Sequence, residues 1–452
     1  MNDSGLNRAI LAIALPAMLT NAATALFGLA DMWVIGRLGD AGAQGGVEVG
    51  SRLLMTVLII FNFLRSGTVA LAAQAAGRGD EPAQAEVLLR ALAVAAAIGA
   101  LLIVAMPVVV TLGLDMLSAE GRTRELARLY VIIRYWSGAP WLLSAVLTGW
   151  LIGRRRVRQV LAVEVGANVL HVLLDLGLVL GLGLGVAGVA AATLASETAK
   201  CLALVLLAAR EAPAKRALAI ARQASTWRLA DIAALLRLNR DLFGRTVLLM
   251  AAVALLTRTG AEQGPVVLAA NAIIYQLFLL SALMLDGFES AGQVLCGEAV
   301  GAGDRRRFER LVRALMVWGG GAALVISGVY ALAGGALAAS FSTAPEVIAV
   351  VRQHLVWMAL LPVAGVASFV LDGVFIGSSW TRAMLQTMAA ALVGYIALLW
   401  LGRGLANHGL WLAYSLFFVL RAAGQFALLP TLTRRSFAAD GARLAAGSAG
   451  AT

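Results

Sequence analysis

Two aspartates stand inside apolar segments of the chain, where a charge is costly. Asp31 lies in the stretch GLADMWVIG, and Asp175 follows Asn168 and His171 in a second apolar segment. Residues three, four and seven apart share one face of a helix, so Asn168, His171 and Asp175 can point into one cavity. A carboxylate at the centre of a bilayer costs about 2.5–3.5 kcal/mol on insertion scales, which makes each aspartate a candidate functional group.

The chemistry that suits these groups is the uptake and release of protons. Burial disfavours the charged form of a carboxyl group, and a second carboxylate nearby adds to that effect. We therefore predict an ion-coupling site that contains Asp31, Asp175, His171 and Asn168. The alternative is structural: the aspartates are neutral or hydrogen-bonded and only hold helices together, and His171 is a satisfied core histidine.

The second half of the chain carries a different set of polar groups. They are Asp286 and Glu289 in LDGFES, Asp372 in FVLDGVFIG, and Gln276. We expect the carboxylates to pair with arginines near the ends of apolar segments, which is a structural role. A transport role is the alternative. Ion coupling is thus expected to be concentrated in the N-terminal half.

The composition identifies the elements that must position these groups. Of the 452 residues, 61% are hydrophobic and 13% are charged, whereas soluble domains carry about 25% charged residues. This excludes an ordinary cytosolic enzyme and a nucleic-acid-binding protein, despite the net charge of +11. The two cysteines, Cys201 and Cys296, are too few for a disulfide framework or a zinc site. We predict an all-α integral membrane protein.

Twelve apolar segments are long enough to cross a bilayer, which takes about 20 residues per helix. They cover roughly residues 9–36, 47–75, 88–113, 129–152, 158–181, 185–209, 241–258, 265–297, 311–338, 350–376, 383–402 and 405–432. With the N-terminus inside, 23 basic residues fall on the inner side and eight in the outer loops. This bias predicts that both termini are cytoplasmic, in a plasma membrane of the bacterial type.

The two halves of the chain repeat one another. The segment AQAAGRGD at 73–80 matches GEAVGAGD at 297–304, and LIGRRRVR at 151–158 matches FIGSSWTR at 375–382. Each repeat holds six spans, an even number, which gives a parallel repeat related by an axis along the membrane normal. The predicted organisation is an N-lobe over 1–209, a cytoplasmic linker over 210–234, a C-lobe over 235–433 and a flexible tail over 434–452.

Sequence motifs of enzymes and ATP-driven motors are absent. The segment GLGVAG at 183–188 fits a dinucleotide-binding pattern, but no β-strand precedes it, and it is better interpreted as a tight loop between spans. There is no P-loop lysine motif, and the three histidines form no HExxH pair. We expect no cofactor, no metal and no enzymatic activity, and therefore a process driven by an ion gradient or by the substrate's own gradient.

At the level of whole segments, the chain resembles the DinF branch of the multidrug and toxic compound extrusion (MATE) transporters. The resemblance covers nearly the whole chain and is carried by IALPAMLTN at 13–21, GLADMWVIGRLG at 28–39, FLRSGTVALAAQAAGRGD at 63–80, LAANAIIYQLFLLSALMLDGFESAGQ at 268–293 and FVLDGVFIGSSWTRAM at 369–384. It implies two six-helix lobes around a V-shaped cavity.

The resemblance also implies roles for single residues. Proton-coupled members of the family use an aspartate in the first helix, an Asn-x-x-x-Asp pair in the fifth and a threonine in the sixth, and Asp31, Asp175 and Thr193 occupy these positions. His171 replaces the asparagine, and because imidazole titrates near neutral pH, it adds a proton site or weakens a sodium site. Pro16 matches the proline at which the family's first helix bends.

The expected function is the export of organic, cationic or amphipathic compounds in exchange for protons. Sodium coupling is one alternative, and a flippase for lipids or lipid-linked saccharides is another. A membrane-embedded enzyme is disfavoured because no metal cluster or nucleophile motif is present. The expected partners are a small-molecule substrate and the lipid bilayer, with no nucleic acid, and the protein is expected to be a monomer.

Overall fold

Helices account for every regular element in the part of the chain that the structure describes. The structure is a computed structural model that describes residues 3–449, with side chains described outside residue 3, residues 24–30 and residues 439–449. The α-helices in this range are α1 (Asp3–Gly36), α2 (Ala41–Ile59), α3 (Phe63–Gly77), α4 (Glu81–Met116), α5 (Gly121–Tyr135), α6 (Gly138–Gly153), α7 (Val157–Asp175), α8 (Gly185–Ala209), α9 (Ala212–Lys215), α10 (Ala217–Ala221), α11 (Leu229–Ala261), α12 (Pro265–Gly301), α13 (Arg305–Phe341), α14 (Pro345–Gln353), α15 (Leu355–Gly377), α16 (Thr381–Leu401) and α17 (Ala406–Ala449).

The helices form twelve passes through a membrane. Within the described residues, ten apolar stretches are long enough to cross a bilayer. The stretch Thr381–Ala438 contains both α16 and α17, and α5 with α6 supplies a further pass. The predicted twelve-helix, all-α membrane fold is confirmed.

Several passes are longer than their apolar cores. The fourth was expected to begin at residue 129, but its first helix begins at Gly121 and ends at Tyr135, and α6 follows from Gly138. The part of α5 that the sequence missed, residues 121–128, carries three arginines. Two of them pair with acidic residues elsewhere in the N-terminal unit: Arg122 Nη2 donates to Asp40 at 2.6 Å and Arg124 Nη2 donates to Asp115 at 2.6 Å. A search for apolar runs misses a helix whose charged residues are paired with other parts of the protein.

The last helix also extends past a predicted boundary. We expected a flexible tail over 434–452, whereas α17 continues to Ala449. The ring of Phe437 packs against Phe308 of α13, with the ring centroids 5.5 Å apart. This hydrophobic contact stabilises α17 beyond the end of its apolar run.

The repeat in the sequence is repeated in the packing of helices. A Cβ added to Gly149 or Gly153 of α6 would lie under 3 Å from backbone of α3, at the Arg65 and Val69 carbonyl oxygens respectively. The same relation recurs 224 residues later. There, Gly373 and Gly377 of α15 meet the carbonyl oxygens of Glu289 and Gln293 in α12. Each half therefore contains an equivalent helix pair whose backbones touch, which requires glycine at the contact.

Two compact units divide the chain. The N-terminal unit is Leu19–Asn239, and the C-terminal unit combines Met1–Met18 with Arg240–Thr452. The first half of α1, assigned to the N-lobe in the sequence, packs in the C-terminal unit, where Met18 contacts Gly287. The division falls two residues after Pro16, which lies inside α1.

A buried ion pair fixes the start of the linker in the N-terminal unit. Glu211 lies just beyond α8, outside the spans, and accepts from Arg154 Nη2 at 2.8 Å and from Arg156 Nε at 2.7 Å. Burial by itself would raise the pKa of Glu211, but the hydrogen bonds and charges of Arg154 and Arg156 outweigh it and lower that pKa below its ordinary value.

We expect Glu211→Gln to lower the free energy of unfolding by about 2 kcal/mol, since hydrogen bonds to charged groups contribute about 1.5–3 kcal/mol. Because the folded pKa lies below the unfolded one, this stabilisation is present above about pH 5 and is lost as the pH falls through the folded pKa. Thermal unfolding in detergent at pH 7 and pH 4 measures both effects. The control is Glu81→Gln, whose exposed partner Arg216 is 3.5 Å away and whose loss should cost about 0.5 kcal/mol or less. An equal loss for the two variants would contradict the assignment.

Candidate ion-coupling site

Three helices of the N-terminal unit bring the predicted N-terminal aspartates together. Asp31 lies on α1, His171 and Asp175 lie one turn apart on α7, and α8 packs beside them. The side chain of Asp31 is 4% exposed and those of His171 and Asp175 are fully buried. The three form a cluster that we call the Asp-His-Asp cluster.

The imidazole of His171 stands between the two carboxylates. Its Nε2 lies 2.6 Å from Asp31 Oδ1 and 3.1 Å from Asp175 Oδ2. Its Nδ1 lies 3.3 Å from the hydroxyl of Ser196, and that hydroxyl donates to the Thr193 carbonyl at 3.1 Å. In the imidazolium form both ring nitrogens carry hydrogen and can donate, Nε2 to Asp31 and Nδ1 to Ser196.

Asp175 is incompletely satisfied. Its Oδ2 contacts the ring at ion-pair distance without a hydrogen bond, and its Oδ1 is also buried with no hydrogen-bond partner among the described residues. Buried polar atoms are nearly always hydrogen-bonded, and a buried charge without compensation is costly. This oxygen is therefore a place where a proton or another cation stabilises the site.

The helix changes its winding directly after Asp175. Residues Leu176–Gly181 form a π-helical turn, and the chain then turns towards α8. Such turns leave the regular hydrogen-bond ladder and occur frequently at functional sites. Asp175 thus lies at the last position of regular helix, next to a segment that can rewind.

Two of the predicted residues lie beside the cluster without a hydrogen bond to its ionisable groups. Asn168 Nδ2 donates to the backbone carbonyl of Ala23 at 2.8 Å, which ties α7 to α1. The Thr193 hydroxyl donates to the Val189 carbonyl within α8. Ser196, one turn after Thr193, is the residue that contacts His171. Its spacing from Thr193 places Ser196 and Thr193 on one face of α8, but the sequence does not show that the imidazole of His171 faces Ser196.

The cluster also has the donor set of a cation site. One ligand atom from each of Asp31, His171 and Asp175 lies within 4.8 Å of the others. Two carboxylate oxygens and one imidazole nitrogen suit a transition metal better than an alkali ion, which prefers oxygen ligands alone. Protons need no such ligand set and can reside on any of the three groups.

In the C-terminal unit, Asp372 is held by two arginines. Arg245 and Arg421 both donate to Asp372 Oδ2, Arg421 at 2.5 Å, and Gln425 donates to Oδ1 at 2.7 Å. Asp372 is fully buried and the Arg421 side chain is 2% exposed. The pairing with arginine that the sequence predicts is present at this carboxylate.

The other polar groups of this half have different surroundings. Glu289 accepts from the Gln293 amide at 2.9 Å, and Asp286 is half-buried one turn earlier on α12. The side chain of Gln276 is exposed. The structure therefore brings Asp372 into a hydrogen-bonded cluster and leaves Gln276 outside it.

The family model described as MatE matches residues 16–177 and 244–401, which is more than half of the chain. DNA damage-inducible protein F of Escherichia coli (strain K12) is 35% identical over 419 residues, covering 92% of this chain and 90% of that protein. Probable multidrug resistance protein NorM of Rhizobium meliloti (strain 1021) is 26% identical over 340 residues, covering 72% and 70%.

Solved structures agree with this relationship at the level of the fold. The crystal structure of MATE in the bent conformation superposes with a TM-score of 0.86 at 18% identity, covering 96% of this chain and 99% of that one. An outward-facing multidrug resistance MATE family transporter of the MOP superfamily gives a TM-score of 0.83 at 20% identity, covering 96% of both chains. The chain therefore belongs to the MatE family of multidrug and toxic compound efflux transporters, which are multi-pass membrane proteins.

Proposed function

We propose that the protein exports organic cations in exchange for protons and that the Asp-His-Asp cluster carries the exchange. The observation that supports this most strongly is the burial of three titratable groups in mutual contact within a membrane-spanning unit. Ionisable groups at such depth are costly and mark ion pathways in transporters. The Rhizobium relative is named a probable multidrug resistance protein, which supports an organic substrate.

The net charge of the cluster links the binding of protons to the binding of substrate. Two carboxylates and one imidazolium carry a net charge of −1, and one further proton makes the cluster neutral. The negative state favours a cationic substrate and the neutral state releases it. Because each ligand weakens the binding of the other, proton entry on one side drives substrate exit there.

The conformational step is assigned to α1. Neutralising Asp31 removes its attraction to His171 and allows the half of α1 beyond Pro16 to repack. A proline inside a helix removes one backbone hydrogen bond, which makes bending at that point inexpensive. The transporter then opens to the other side, and the carboxylates lose their protons to the cytoplasm. This is a population shift driven by the different proton affinities of two states.

Protons are favoured over sodium by the position of His171. Its Nε2 occupies the space between Asp31 and Asp175 where a shared cation would sit. Sodium binds oxygen ligands, and an imidazole that is hydrogen-bonded to Asp31 and lies at ion-pair distance from Asp175 competes with it for them. The departure from the family's asparagine thus makes the site more suited to protons.

The proposed setting is a plasma membrane of the bacterial type, with both termini cytoplasmic and the protein a monomer. The support for this orientation is the excess of arginine in the segments on the side of the termini.

The test is the efflux of ethidium from proteoliposomes under an imposed proton gradient or an imposed sodium gradient. We expect efflux with the proton gradient and none with sodium alone. Efflux with the sodium gradient alone would show that sodium, and not the proton, is the coupling ion. Absence of transport with either gradient would favour a lipid flippase.

A further inference from the structure

A groove lies between α13 and α17 at the arginine-rich end of the C-terminal unit. Its volume is about 690 Å³. The walls are apolar, formed by Val312, Met316, Phe426 and Leu429. Phe426 is 43% exposed, so the groove is open at its side and its apolar wall is not covered by the described chain.

The rim of the groove is cationic. Arg305, Arg313 and Arg434 line it together with Glu309. Glu309 is neutralised by Arg305, whose Nε lies 2.8 Å from its carboxylate. Arg313 and Arg434 are exposed and have no ion-pair partner among the described side chains, which leaves two positive charges at the mouth of an apolar groove.

The floor of the groove is rigid. Phe308, which is 1% exposed, lines it and packs edge-on against Trp380 and at a tilt against Phe437, with centroid distances of 5.7 and 5.5 Å. Trp380 also donates to the Ser436 hydroxyl at 3.0 Å. These contacts hold the ends of α13 and α17 apart at a fixed spacing, so the groove is preformed.

A second cavity, of about 480 Å³, lies on the other side of α13. It shares Arg313 and Val317 with the first and is also lined by Trp318, which donates to Asn7 Oδ1 at 3.1 Å. Arg313 therefore stands between two cavities and can reach the contents of either.

We propose that the groove between α13 and α17 binds an anionic phospholipid, with the phosphate on Arg313 and Arg434 and an acyl chain along the apolar wall. The distance from Arg305 to Val317 along α13 is about 18 Å, which is close to the thickness of one leaflet's hydrocarbon region. Basic pockets between transmembrane helices are the recognised setting for anionic headgroups. The apolar wall favours a phospholipid over free phosphate, because inorganic phosphate has no apolar group that could pack against it.

Such a lipid joins the ends of α13 and α17 within the C-terminal unit. It contacts neither the Asp-His-Asp cluster nor Asp372, so the site is separate from the proposed coupling chemistry. A transporter built this way responds to the anionic lipid content of its membrane through the C-terminal unit.

The test is native mass spectrometry of the full chain in detergent, titrated with dioleoylphosphatidylglycerol, dioleoylphosphatidylcholine or inorganic phosphate. We expect tight binding of phosphatidylglycerol alone. Arg313→Gln and Arg434→Gln should each weaken it about fivefold and together about 25-fold, since each arginine near a headgroup contributes about 1 kcal/mol. Leu429→Trp, which fills the groove and keeps its charges, should also weaken binding.

The matched control is Arg306→Gln, which removes an exposed arginine of the same helix, two turns before Arg313, that does not line the groove. Its affinity should equal that of the wild type. Equal binding of phosphatidylcholine, an effect of Arg306→Gln as large as that of Arg313→Gln, or unchanged affinity in Leu429→Trp would overturn the proposal. Binding of inorganic phosphate with the same dependence on Arg313 would show an anion site in place of a lipid site.

Discussion

Asp31→Asn and Asp175→Asn should each reduce proton-driven export of ethidium to the level of empty vesicles, while binding of ethidium is retained. Either change removes one of the two carboxylates that face His171 Nε2 at 2.6 and 3.1 Å and preserves the shape of the side chain. The cluster then can no longer alternate between a negative and a neutral state. Efflux in proteoliposomes measures coupling, and fluorescence titration in detergent measures binding.

The matched control for this experiment is Asp286→Asn. It makes the same chemical change at a half-buried aspartate of the C-terminal unit, outside the cluster. We expect it to retain its response to the proton gradient. Wild-type export by Asp31→Asn would contradict the mechanism, and loss of coupling in Asp286→Asn alone would move the site to the other unit.

Gly373→Ala should prevent stable folding or lower the free energy of unfolding by about 3 kcal/mol, the upper part of the range for overpacking. An added Cβ would overlap the backbone carbonyl of Glu289, which belongs to α12 and cannot rotate away. Gly149→Ala, at the equivalent contact with Arg65, should behave in the same way. Folded yield and thermal unfolding in detergent measure the effect.

The control is Gly320→Ala in α13. A Cβ there meets no atom within 4 Å, and alanine is favoured over glycine in a helix interior by about 1 kcal/mol. This variant should be as stable as the wild type or more so. A tolerated alanine at both Gly149 and Gly373 would show that the helix backbones do not touch as described.

The sequence predicted the part of the fold that depends on local pattern. Apolar runs predicted twelve passes, and the matching segments predicted the repeat, whose packing counterpart is the pair of glycine contacts 224 residues apart. It missed the start of α5 because Arg122 and Arg124, which pair with Asp40 and Asp115, interrupt the apolar pattern there. It ended α17 too early because Phe437, a single apolar residue beyond two arginines, packs on a distant helix.

The candidate site was only partly accessible from the sequence. The spacing of His171 and Asp175 placed them on one face of a helix, but their meeting with Asp31, 140 residues away from His171, required the packing of α1 on α7. Periodicity does not report ring orientation, so the contact between Ser196 and His171 was not predicted. The roles assigned to these residues stay predictions.

The most direct test of the central claim is the release of protons when the substrate binds. Ethidium is added to the purified protein in weakly buffered detergent solution, and a pH-sensitive dye reports the protons released. The wild type should release about one proton per bound cation near neutral pH, because the cation replaces a proton in keeping the site neutral, and the Asp31→Asn, Asp175→Asn double variant should release none. Binding without proton release in the wild type, or equal release by the double variant, would contradict the claim that the cationic substrate displaces protons from these two carboxylates.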